Sequence, residues 1–158
     1  MLVGKWTFRS FNTLPALIGS DAKAALGLIL QEGFLNLDAT GLDSFSGGMG
    51  ISSGLALAVE GTVIRHDGGE DGEEYALTAR GIPGTPTQGW RYEYRCATAY
   101  AWPEAANQQP ALLGTVLRAR AHGPKAPAGA TASFIAIRQT GLLAHERREY
   151  HNVLAAGI

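Results

Sequence analysis

A single cysteine in 158 residues, Cys96, leaves this chain without an internal disulfide. It also lacks charge of one sign, since 13 Lys and Arg against 14 Asp and Glu give a formal charge of -1. So even a balance offers no field to attract a polyanionic backbone or an acidic lipid surface, and neither nucleic acid nor membrane is an expected partner. No apolar run approaches the roughly 20 residues of a spanning helix. The N-terminus runs directly into MLVGKWTFRSF, without the basic, apolar and cleavage regions of a secretory signal. A cytoplasmic protein is the expectation. Repeats, low-complexity tracts and linkers are missing as well, and no motif asks for a cofactor or a metal ion, so none is expected.

What is present is turn-punctuated β pattern. With 46% hydrophobic and 17% charged residues, the chain is long enough for one continuous core and short for two, so 1–158 reads as a single domain. Its 21 glycines fall mostly between apolar runs, where turns belong. Alternating or β-rich segments at 3–11, 34–39, 43–50, 55–66, 73–81, 89–101, 111–122 and 131–139 predict the strands. Two segments have helical spacing instead. From Ser20 to Gly33, residues Ala22, Ala25, Leu26, Ile29 and Leu30 share a face, with Ser20 or Asp21 to cap the start and Gly33 the end. Over 142–155, Leu143, Tyr150 and Leu154 do the same, predicting a C-terminal helix packed on the body. Consecutive antiparallel strands leave edges at both ends of a sheet, and about eight of them can close and remove those edges. The expected fold is all-β: an eight-stranded antiparallel up-and-down barrel, with a helix between the first two strands and another at the C-terminus.

The segment WRYEYRCATAYAW puts Trp90, Tyr92, Tyr94, Cys96, Thr98, Tyr100 and Trp102 on one face. Its other face carries Arg91, Glu93 and Arg95, which need water, so the aromatics point inward. Compatible inward sets are Trp6 and Phe8, Leu35 and Leu37, Leu55, Leu57 and Val59, Tyr75 and Leu77, and Leu113, Thr115 and Leu117. Tyrosine hydroxyls need partners when buried, and either a partly wet cavity or a packed core with its tyrosine tips at the barrel mouth provides them. On the outer side, Ala97, Ala99, Ala101, Ala56 and Ala58 call for a cover. The C-terminal helix is the economical one, and an identical subunit, making a homodimer, is the other.

Gly4-Lys5-Trp6 at the start of the first strand, the eight strands and the helix after them resemble the calycin group of lipocalin-like and avidin-like barrels. That resemblance implies that Trp6 closes one barrel end beneath a basic residue, for which Arg138 in SFIAIRQ is the candidate. The disulfide and loop motifs of secreted lipocalins are missing.

The remaining motifs have ordinary readings. Gly50-Ile51-Ser52-Ser53-Gly54 matches G-x-S-x-G but lies between two predicted strands rather than on a strand-to-helix turn. The acids of HDGGEDGEE lack the spacing of a calcium loop and read as a solvated hairpin. In HERREYH, His145 and Glu149 stand one turn apart while His151 points away, so a metal would need a third ligand such as His122 or His66. Local ion pairs on a solvated helix explain the run better, and Cys96 reads as a core residue. The resulting expectation is a barrel binding a small, partly apolar or aromatic molecule in its lumen, lined by Trp6, Phe8, Tyr75, Trp90, Tyr92, Tyr94, Leu117 and Arg138, with 21–32 as a lid. The alternative is a barrel isomerase or cyclase that holds a flexible substrate, using Tyr92 or Tyr94 as acid with Arg138 or Glu60 assisting.

Overall fold

The computed structural model describes residues 2–13, 15–19, 21–51, 55–65 and 73–139. Its elements in chain order are β1 (Gly4–Asn12), α1 (Pro15–Ile18), α2 (Ala22–Leu26), β2 (Ile29–Ala39), β3 (Ser44–Ile51), β4 (Leu55–Ile64), β5 (Glu74–Gly81), β6 (Arg91–Thr98), β7 (Ala111–Arg120) and β8 (Thr131–Arg138). Each strand pairs antiparallel with the next, and β8 returns to β1, closing the barrel. Trp6 lies opposite Leu35 on one side and opposite Arg138 on the other. Every backbone edge of the sheet is thereby paired, the reason eight short strands without a disulfide can form a stable body. No helix among the described residues is long and apolar enough to cross a membrane.

Alternation sets the inner face as expected in most strands. Trp6 and Phe8, Leu35 and Leu37, Leu57 and Val59, Tyr75 and Leu77, and Tyr92, Tyr94 and Cys96 are all buried. Between them the structure places glycine where a side chain would collide. A Cβ on Gly114 would stand 2.1 Å from the Arg95 carbonyl oxygen and 2.6 Å from Cys96 Cβ, so β6 and β7 meet closely at that point only because the position is bare. The glycines therefore serve the interior of the sheet as well as the turns to which their sequence positions assigned them.

Three expectations are corrected. The helix predicted from Ser20 to Gly33 is only α2, capped by the Asp21 side chain accepting from the Ala24 N–H at 2.9 Å and ending at Gly27. Ile29 to Gly33 join β2 instead, because β1 extends to Asn12 and needs a partner along its second half, where Ser10 faces Gln31 and Arg9 faces Glu32. The strand predicted to reach 101 ends at Thr98, and Tyr100 and Trp102 are 68% and 70% exposed in the following loop, where Gln108 holds the Trp102 N–H and the Tyr100 carbonyl. In β7 the inward phase belongs to Leu112, Val116 and Arg118, while Leu113 and Leu117 face outward at 49% and 37% exposure. On the outer wall, Ala56 and Ala58 are exposed. The predicted C-terminal helix at 142–155 lies outside the described residues, as do most of the 66–74 hairpin and Ser52 to Gly54.

Candidate functional site

The interior of the barrel is filled from one end to the other. Trp6, Tyr75, Tyr92, Leu37, Leu57, Leu112, Val59 and Val116 are each no more than 2% exposed. The tyrosine hydroxyls find partners within the protein. Tyr94 O–H donates to Met49 Sδ at 3.5 Å, Tyr75 O–H bonds the Glu73 carboxylate at the rim, and Tyr92 O–H meets His122 Nε2 at 2.5 Å. Burial raises the pKa of Tyr94 well above the usual phenol range and pushes the Cys96 thiol up to about 12, so both stay protonated at neutral pH. The packed arrangement with satisfied hydroxyls is therefore the one the chain adopts along its axis.

The eight residues expected to share one lining are distributed over different parts of the barrel. Trp6, Tyr75 and Arg138 belong to one end, Phe8 and Tyr94 to the middle, Trp90 and Tyr92 to the other end, and Leu117 to the outer wall. Leu117 is a correction: β7 is apolar on both faces, and its pairing with β6 puts Tyr92 opposite Arg118, so that Leu117 must point out. At the Trp6 end, the indole N–H donates to the Leu2 carbonyl at 3.0 Å, and Leu2, 1% exposed, seals the bottom. Arg138 faces the same side as Trp6 in register, but it is exposed and its guanidinium lies over Gly4, with Nε 3.3 Å from where a Cβ would stand. Gly4 also has φ of 125°, a conformation that favours glycine, which explains the first position of the Gly-Lys-Trp run. Glu60 is exposed on the outer wall opposite Ser46 and Thr78, so it does not come together with Tyr92 or Tyr94, and Arg138 stands at the end opposite Tyr92.

The polar groups converge at the other end. The loop before β6 is latched by Thr87, fully buried, whose hydroxyl donates to the Ala56 carbonyl at 2.7 Å, and it delivers Trp90 to the barrel mouth. The β7–β8 loop, closed by His122 N–H to the Ala126 carbonyl at 3.1 Å, lays the His122 ring on Trp90 with centroids 3.9 Å apart and planes 16° apart. Beside this stack Arg118 turns inward at 9% exposure, and Nη1 donates to the Pro127 carbonyl at 3.2 Å. Across the mouth, Ser10 Oγ donates to the Gln31 carbonyl at 3.3 Å, and the Gln31 side chain is 8% exposed. A cleft of about 370 Å³ opens here, bounded by Asn12, Leu30, Arg118, Lys125 and the segment 127–131. A larger hollow of about 510 Å³ is bounded only by Trp102, Pro103, Glu104 and Ala105, four consecutive exposed loop residues, and brings no second part of the chain to a ligand.

Burial, and secondarily the Arg118 charge, lowers the pKa of His122 below its ordinary value of 6.5, which favours the neutral ring, whose Nε2 shares a hydrogen bond with the Tyr92 hydroxyl. The unfolded chain takes up a proton at His122 below about pH 6.5 while the folded chain resists it, so stability is expected to be level above that pH and to fall as pH drops toward the folded-state value. Thermal melts at about pH 7.5 and about pH 5 measure this, and His122→Gln should remove its share of the acid-induced loss. An equal loss in the variant would assign the effect to other groups. His66, His145, Glu149 and His151, the remaining members of the metal reading, lie outside the described residues.

Arg118, Gln31 and Leu30 were not among the residues expected to form a site. Leu117 is the better apolar choice beside Arg118, and placing an arginine inward contradicts the ordinary distribution of charge. The available signal was Gly114, a residue small enough to face the large side chains opposite it and in phase with Arg118. No family model matches this chain, and comparisons with curated proteins and with solved structures return no match.

Proposed function

We propose that the protein binds a small, partly apolar molecule at the Arg118 end of the barrel, in the mouth rather than along the axis. The observation that carries this reading is the cleft of about 370 Å³, where residues from β1, β2, β7 and the β7–β8 loop meet above a filled interior. Leu30 and Pro127 supply apolar wall, and Asn12, Arg118 and Thr131 supply polar groups, the mixture typical of small-ligand sites. The calycin-like reading fits the same picture. The closed antiparallel barrel, with Trp6 at its sealed end and Arg138 across from it, leaves the opposite end for a ligand.

Titration with neutral N-phenyl-1-naphthylamine tests this. A saturable rise in its fluorescence is expected, and Ala128→Trp, which fills the cleft from an exposed loop position, should abolish it. No saturable binding, or binding unaffected by Ala128→Trp, would rule out the mouth as the site.

A further inference from the structure

Arg118 is the one buried charged residue among the described residues, and none of the ion pairs between them includes it. Arg9, Arg65 and Arg91, all on the outside, are paired with Glu32, Asp43 and Glu93. Arg118 instead donates once, from Nη1 to the Pro127 carbonyl, and its buried Nε–H meets no acceptor. A guanidinium so placed has given up water on that side without compensation, which is costly to the folded state unless something else accepts from it. Its surroundings repeat the pattern. Lys125 stands on the rim of the same cleft, and no Asp or Glu lines it.

We propose that the molecule bound at this mouth carries a carboxylate, held by Arg118 with Lys125 above it, while its apolar part lies against Leu30 and Pro127. This rests on the mouth being the binding site. A planar carboxylate matches the guanidinium fork. Such charge-assisted contacts, formed in a partly desolvated site, separate an acid from its neutral analogue by about tenfold or more.

Octanoate and 1-octanol, alike in apolar body, are the probes, titrated calorimetrically into the full chain and into Arg118→Met and Ala128→Trp. Octanoate is expected to bind at least about tenfold more tightly than octanol. Arg118→Met should remove that preference through a loss of octanoate affinity, because the unbranched apolar side chain replaces the start of the arginine stem but carries no charge and no N–H. Equal binding of acid and alcohol, blocked by Ala128→Trp, would overturn the carboxylate inference and leave the mouth standing as a site. A preference that survives Arg118→Met would also overturn it, and failure of either compound to bind would overturn both. A measurement without ligand gives an independent check. If Arg118 is held in place for a ligand, the Tm of Arg118→Met should match or exceed that of the unaltered protein. A fall of more than about 5 °C, large for a chain of this size, would make Arg118 a structural group and refute the proposal.

Discussion

Trp6→Ala is expected to destabilise the protein by about 3–5 kcal/mol, the range for removing a large aromatic side chain from a packed interior. Trp6 is 2% exposed, and its indole N–H is bonded to Leu2, so truncation opens a void and strips the Leu2 carbonyl of its partner at once. The surroundings have little freedom to collapse into that void. Gly4 and Arg138 flank it on the first and last strands, and closure of the barrel ties those strands together along their length. Urea denaturation reads the effect as a lower midpoint with an unchanged slope. A midpoint equal to that of the unaltered protein would take Trp6 out of the structural core and remove the seal from that end.

Tyr92→Ala should cost a comparable amount, about 3–5 kcal/mol, because the ring is 1% exposed and meets Trp90 and His122 edge to face at 6.4 and 5.7 Å. Tyr92→Phe separates ring from hydroxyl. It keeps the packing and deletes only the bond to His122 Nε2, so a loss of about 0.5–1.5 kcal/mol is expected. The pair of variants distinguishes a packed barrel from a wet one. If Tyr92→Ala cost less than about 1 kcal/mol, its ring would be projecting into solvent-filled space, and the filled interior would have to be given up. A Phe variant as damaging as the Ala variant would instead put the hydroxyl, and the His122 loop it holds, ahead of the ring in importance.

Much of the barrel was legible residue by residue. The expected strand at 55–66 became Leu55–Ile64, 73–81 became Glu74–Gly81, and 131–139 became Thr131–Arg138, since alternation bounded by turn residues is a local property that the chain carries into the fold. The helix before β2 was overextended because Ile29 and Leu30 fit a helical face as well as a strand, and pairing with β1 decided between them. The candidate site was less legible. Trp90 and Tyr92 stand at the same end as the cleft without lining it, and Trp6 and Tyr75, expected beside them, belong to the far end. Period-two alternation reports which way a side chain faces and says nothing of its height along the barrel axis; that height comes from the stagger between strands.

By itself, then, the sequence determined the all-β class, the number and order of strands, and the inward direction of Tyr92, Tyr94 and Cys96, because three charges on the opposite face left no other choice. Only the tertiary structure decided the phase of β7, the filling of the interior and the place where polar groups gather. In ALLGTVLRAR both faces are apolar enough to be buried, so burial energy alone does not select one. Selection came from contacts with other strands: the close approach at Gly114, which excludes a side chain, and the register that sets Arg118 opposite Tyr92. A guanidinium inside a barrel with no carboxylate partner among the described residues is a property of that three-dimensional neighbourhood, since the carboxylates paired there, Glu32, Asp43 and Glu93, hold Arg9, Arg65 and Arg91 instead.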